Sequence, residues 1–99
     1  MAQPAVKVLD VAIDERNLEP RTFYVPGNEP VQFVVHNRTA RRYEFVIPQA
    51  NYQIADILPG QTKEATFTFV NVGTFDVICR CAEGAQYNFT GQLIVQVLY

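Results

Sequence analysis

The sequence predicts an all-β protein, a sandwich or barrel of about seven or eight strands. Three observations predict it. Seven segments alternate apolar with polar residues or are rich in β-branched ones. Pro, Gly and Asn signals part them at a spacing of roughly 8–12 residues. No segment carries a convincing helical period.

The first segment, "VKVLDVAI" (6–13), is apolar and β-branched. "RTFYV" (21–25) follows Pro20 and runs into Pro26-Gly27, a turn signal. "PVQFVVHN" (30–37) sets Val31, Phe33 and Val35 on one face, with Gln32 and His36 on the other. "RRYEFVIP" (41–48) groups Tyr43, Phe45 and Ile47 and turns Glu44 away. "KEATFTF" (63–69) points Ala65, Phe67 and Phe69 inward. "TFDVICRC" (74–81) aligns Phe75, Val77, Cys79 and Cys81 on one side. "FTGQLIVQV" (89–97) closes with Phe89, Leu93, Val95 and Val97 on one face. The stretch "QANYQIADILPGQ" (49–61) reads as the longest non-strand piece, with a short helical turn around Tyr52 to Ile57.

The chain of 99 residues is expected to form one domain, 1–99. A chain of this length buries roughly two-thirds of its unfolded surface. The net charge of −2 argues against nucleic acid as a main partner. The one basic cluster, Arg38, Arg41 and Arg42, is small and reads as solvated surface or a docking spot. No stretch approaches the roughly 20 apolar residues of a membrane-spanning helix. No signal peptide is visible, and two cysteines do not fix the redox compartment.

The order of these words resembles the cupredoxins, the fold of the blue copper proteins, over roughly residues 6–98. "LEPRTFYVPGNEPVQFVVHN" (18–37) is similar to the family's entry, and "YEFVIP" (43–48) to the segment that usually begins with a copper-binding His. "ILPGQTKEATFTF" (57–69) resembles its Pro-Gly turn and following strand. "GTFDVIC" (73–79) resembles its Gly-x-Phe-x-aromatic-x-Cys, and "TGQLIV" (90–95) its closing strand. The resemblance implies a Greek-key, cupredoxin-like β-sandwich.

It also implies a ligand set that this chain lacks. A blue copper site takes a thiolate, two imidazoles and a weak axial sulfur or oxygen. Carried over, the first His position holds Tyr43, the Cys position Cys79 and the axial position Phe89, and no His follows Cys79. The chain has a single His, His36, so two imidazoles from one chain are excluded. His36 is expected on the surface, and the one Met is Met1.

Three readings remain for the cysteines. Cys79 continues the inward row and packs as a small hydrophobe. A Cys79–Cys81 disulfide requires a bend, because alternate residues of a strand lie roughly 6.5–7 Å apart. A non-blue copper or iron site would draw on Cys79, Cys81, Tyr43, Glu44 and Glu83. The resemblance extends to cupredoxin-like domains of bacterial iron-uptake permease systems, which lack the His pair and carry a similar Glu-aromatic segment and late Cys. Alternation points Glu44 away from Tyr43 and Cys79, so its use requires a bulge. Tyr43 and Phe89 are expected to plug the volume that an ion and its ligands would fill, with the Tyr43 hydroxyl hydrogen-bonded at the rim.

"NRT" (37–39) and "NFT" (88–90) match the N-glycosylation sequon. One His leaves no expected Ser-His-Asp or Cys-His constellation, and no phosphate loop is present, so an enzyme is not expected. The resulting expectation is an extracytoplasmic, periplasmic or secreted, binding or accessory module without cofactor. Its partner is a protein, in a metal-transport or electron-transfer membrane complex, or it serves as a structural subunit. The alternatives are a non-blue metal carrier and a Cys-x-Cys thiol redox protein. Two docking surfaces are candidates: the loop at Arg41 and Arg42, and the loop "AEGAQYNF" (82–89).

Overall fold

The computed structural model describes residues 7–97; Met1 and Val6 lie outside them. In chain order the strands are β1 (Lys7–Ile13), β2 (Leu18–Glu19), β3 (Thr22–Pro26), β4 (Pro30–Asn37) and β5 (Tyr43–Ile47). They continue with β6 (Tyr52–Ile57), β7 (Thr62–Thr68), β8 (Gly73–Cys81) and β9 (Phe89–Gln96). They form a four-stranded sheet ordered β2-β1-β4-β7 and a five-stranded sheet ordered β3-β9-β8-β5-β6. β1 pairs with β4, and β3 with β9, in parallel; the other pairs are antiparallel.

Alternation decides which residues lie between the sheets. Val31, Phe33 and Val35 of β4 face Tyr43, Phe45 and Ile47 of β5, and all six are buried. Phe33 packs on Phe45 with ring centroids 5.2 Å apart and on Phe69 at 6.2 Å. Val77, Cys79 and Cys81 extend this core along β8, and Leu93 and Val95 extend it along β9. Burying each large apolar side chain contributes roughly 1.5–3 kcal/mol, which is why the alternation fixes the register. Val97 departs from the expected inward row: it lies beyond β9 and is exposed.

The helical turn expected at 52–57 is a strand instead. β6 pairs with β5 in the order Tyr43 to Ile57 and Phe45 to Ile54, so Ala55 and Asp56 both stand opposite Glu44. This bulge holds Asp56 at φ 56° and restores Ile57 to the core, where it is fully buried. The only regular turn of helix nearby is a 3-10 turn at Pro48–Ala50. β2 is the other strand that alternation passed over; two residues suffice to pair with the end of β1.

The Pro-Gly turn at 57–61 has the expected chemistry. The Gln61 N–H donates to the Leu58 carbonyl at 2.9 Å, with Pro59 second in the turn and Gly60 third. Gly60 has φ 76°, the conformation a type II turn asks of that position. Along the edge that β6 and β7 share, Lys63 Nζ donates to the Ala55 carbonyl at 2.7 Å. That contact occupies an acceptor an edge strand would otherwise leave open.

Candidate functional site

Three segments meet at one end of the sandwich: the start of β5, the end of β8, and the chain between β8 and β9. The register sets Tyr43 opposite Cys81 and Phe45 opposite Cys79. On its other side, Cys79 stands opposite Phe89. Cys79 therefore lies between two phenylalanines, with no solvent exposure. Burial pushes its thiol up to about 12. Without a bound metal, a thiol held there stays protonated and packs as a small apolar group.

Tyr43 stacks on Phe89, with ring centroids 6.0 Å apart and planes 25° from parallel. Its hydroxyl donates to the Tyr87 carbonyl at 2.8 Å. Burial, and secondarily the neighbouring Cys81, pushes the phenol up to about 12. The two aromatics expected to share the end of the core do so, and Tyr43 carries the rim hydrogen bond expected of it.

Cys81 has a more polar setting. Its thiol accepts the Glu83 N–H at 3.4 Å and lies 3.4 Å from Glu83 Oε2. Its backbone N–H donates to Asn88 Oδ1 at 2.7 Å. Both cysteines are free, so the disulfide alternative is not the state of this structure.

Of the five candidate donors, the structure thus gathers Tyr43, Cys81 and Glu83 and sets Cys79 deeper. It keeps Glu44 apart. Glu44 lies on the outer face of its sheet, paired with Arg80 at 3.1 Å. The bulge that would have turned it inward belongs to β6 and leaves Glu44 in place. With Arg42 and Asp56, this pair frames a surface pocket of about 160 Å³.

His36 sits on the outer face of the other sheet. Its Nε2 lies 3.2 Å from Asp10 Oδ1 and its Nδ1 2.9 Å from Thr62 Oγ1. Asp10, His36 and Thr62 thus lie in a row on this face, with a threonine hydroxyl rather than the Ser or Cys of the constellations considered above. The register pairs β1 with β4 and β4 with β7 over this stretch, however, so the strand amides are engaged in the sheet rather than gathered into an oxyanion hole.

The residues present do not fit a type 1 copper ion. The positions flanking Cys79 are aromatic carbon, and the only imidazole is on the far side of the opposite sheet. Among the described residues, no group of three or more His, Cys, Asp or Glu side chains is placed to hold a metal ion.

Sequence reasoning missed two structural hubs. Asn37 is buried, and its Nδ2 donates to the Arg41 carbonyl at 2.7 Å and to the Ile57 carbonyl at 2.9 Å. Its Oδ1 accepts from the N–H of Thr39 at 3.0 Å and its hydroxyl at 2.8 Å. With its amide so engaged, Asn37 is not available as a glycosylation acceptor in the folded protein. The second hub is Arg41, whose Cζ lies 3.6 Å from the centroid of the Tyr87 ring. Arg41 also reaches Glu15 at 3.7 Å. The two loops considered as separate docking surfaces are therefore one continuous surface.

A family model described as a cupredoxin-like domain matches residues 2–95. No relative among curated protein sequences matches the chain. Dithionite-reduced auracyanin from the photosynthetic bacterium Roseiflexus castenholzii aligns with a TM-score of 0.77 at 18% identity, over 94% of this chain and 99% of that one. The Cu(I)-bound metal-binding domain of a Cu(I)-exporting P-type ATPase of Streptococcus pneumoniae aligns with a TM-score of 0.74 at 13% identity, over 97% and 91%. The periplasmic domain of cytochrome oxidase subunit II of Bradyrhizobium japonicum aligns with a TM-score of 0.72 at 17% identity, over 98% and 88%. At these identities the structural likenesses speak to the fold alone.

Proposed function

The chain belongs to the cupredoxin-like domain family, and from that premise we propose that it is a non-catalytic docking or structural module of that family without a blue copper centre. One observation carries the reading. At positions that the sequence resemblance matches to the family's metal donors, Tyr43 stacks on Phe89 beside a fully buried Cys79. Filling that space with two rings removes the cavity an absent ion would leave, and so favours a stable, metal-free fold.

The partner we propose is a protein of a metal-transport or electron-transfer complex, met outside the cytoplasm. The structural neighbours that support this class include the ATPase domain and the periplasmic oxidase domain. Fold alone does not carry function, so the reading rests on a direct measurement. Protein purified anaerobically is assayed for metal, then titrated with Cu(I), Cu(II) and Fe(III). The expected result is no stoichiometric uptake and no intense visible band. An intense blue colour, or stoichiometric binding abolished by Cys79→Ser, overturns the reading.

The Cys81–Glu83 contact favours a second reading, a non-blue carrier with its site in the loop. Stoichiometric Cu(I) uptake that survives Cys79→Ser and is lost in both Cys81→Ser and Glu83→Gln would establish it in place of the first.

A further inference from the structure

We infer that residues 82–88 form a strap latched by Arg41, and that opening the strap uncovers Cys81 while leaving Cys79 buried. This inference stands independently of whether the module binds metal.

The strap joins β8 to β9 without belonging to a sheet. Its first residue is anchored by the Ala82 N–H donating to the Arg42 carbonyl at 2.9 Å. Beyond that, its backbone bonds are internal to the strap: Tyr87 N–H to the Gly84 carbonyl, and Asn88 N–H to the Ala85 carbonyl. What holds it down is a short set of contacts involving side chains. The Arg41 guanidinium sits over the Tyr87 ring, and the Tyr43 hydroxyl donates to the Tyr87 carbonyl. Asn88 Oδ1 accepts the Cys81 N–H, and Glu83 Oε2 accepts the Arg42 N–H at 3.3 Å. A segment held this way opens at lower free energy than the paired strands beside it.

Arg41 is the contact that reaches furthest. Through Glu15 it ties the strap to the loop between β1 and β2, which also receives the Ala40 N–H on Glu15 Oε1 at 3.2 Å. One guanidinium therefore joins three loops at this end of the sandwich.

The two cysteines respond differently to opening. The hydrogen-bond partners of the Cys81 thiol are both on Glu83, within the strap, and Cys81 is only 6% exposed while the strap is down. Cys79 is closed off by Phe45 and Phe89, its cross-strand neighbours, which are strand residues. Lifting the strap exposes the first thiol, whereas the second requires the sheet to come apart.

The test is alkylation of the folded, full-length protein by iodoacetamide, followed by intact mass and peptide mapping. Arg41→Ala should raise the rate at Cys81 about tenfold, equivalent to about 1.4 kcal/mol, within the range of a stacked cation and a weak ion pair. The rate at Cys79 should not change. Tyr87→Leu removes the other half of the latch and should behave alike. Equal acceleration at both cysteines would mean global loosening, and no acceleration at Cys81 would mean that Arg41 holds nothing shut. Either result overturns the inference.

Discussion

The Tyr43 hydroxyl donates to the Tyr87 carbonyl at 2.8 Å, linking a strand residue to a loop residue 44 positions away. The same ring stacks on Phe89, so Tyr43 serves both as core packing and as a clasp. Tyr43→Phe separates the two roles. It should keep the stack and cost about 1 kcal/mol, the usual net worth of one hydrogen bond. Tyr43→Ala removes the ring as well and should cost about 3–5 kcal/mol. Urea denaturation of the two variants checks the difference.

Replacing the plug with ligands should not create a blue site. Tyr43→His with Phe89→Met supplies one imidazole and one thioether beside Cys79. The second imidazole is still missing, because His36 is held on the opposite sheet by Asp10 and Thr62. Adding Cu(II) to the double variant should give no intense blue colour. An absorption spectrum decides it.

Stability should fall at high pH. Burial raises the Cys79 thiol from 9.0 to about 12, so the unfolded chain loses this proton first. Between those values the unfolded state binds fewer protons than the folded one, and stability declines as pH rises. The stabilising contribution is whole below about 9 and is lost as pH climbs towards 12. The slope is about 1.4 kcal/mol per pH unit for this group. Tyr43, also raised to about 12, acts in the same direction above 10. Urea midpoints between pH 8 and 11 should show a steeper decline for wild type than for Cys79→Ala.

The strands that were legible in sequence are those whose inward residues alternate without interruption. β4, β5 and β8 carry regular rows ending at Val35, Ile47 and Cys81. β6 was hidden by its bulge. Ile54 and Ile57 are three residues apart, a spacing that imitates a helix, and only the φ of 56° at Asp56 reconciles it with a strand. At the site, alternation correctly turned Glu44 outward and Cys79 inward. The Arg41–Tyr87 contact was invisible, because nothing in either loop encodes that two residues 46 positions apart meet.

Asn37 shows what such hidden contacts are worth. Its side chain supplies two donors and accepts two bonds, fixing the 38–42 loop against the end of β6. Asn37→Ala removes the side-chain donor to the Ile57 carbonyl and the acceptor of the Thr39 N–H, and leaves the Arg41 carbonyl only its bond from the Thr39 hydroxyl at 3.1 Å. Each buried group left unpaired costs about 1–3 kcal/mol, with part recovered where water enters. We expect a loss of about 2–4 kcal/mol by chemical denaturation. Amide exchange in the 38–42 loop should accelerate more than exchange in β4.

Gly91 explains the glycine of the closing strand. A Cβ there would lie 2.5 Å from the Arg21 carbonyl oxygen and 3.2 Å from its carbon. Both are backbone atoms, so no rotamer change relieves the contact. The same Arg21 carbonyl accepts the Gln92 N–H at 2.7 Å, just before β3 begins to pair with β9. A side chain at 91 must therefore push β3 from β9 or break that bond. Gly91→Ala should destabilise the protein by about 1–3 kcal/mol, the cost of overpacking. In β9 itself alanine is otherwise the better residue, since glycine weakens a strand. A variant as stable as wild type would show that the close approach of Arg21 does not constrain this position; a midpoint shift in urea measures it.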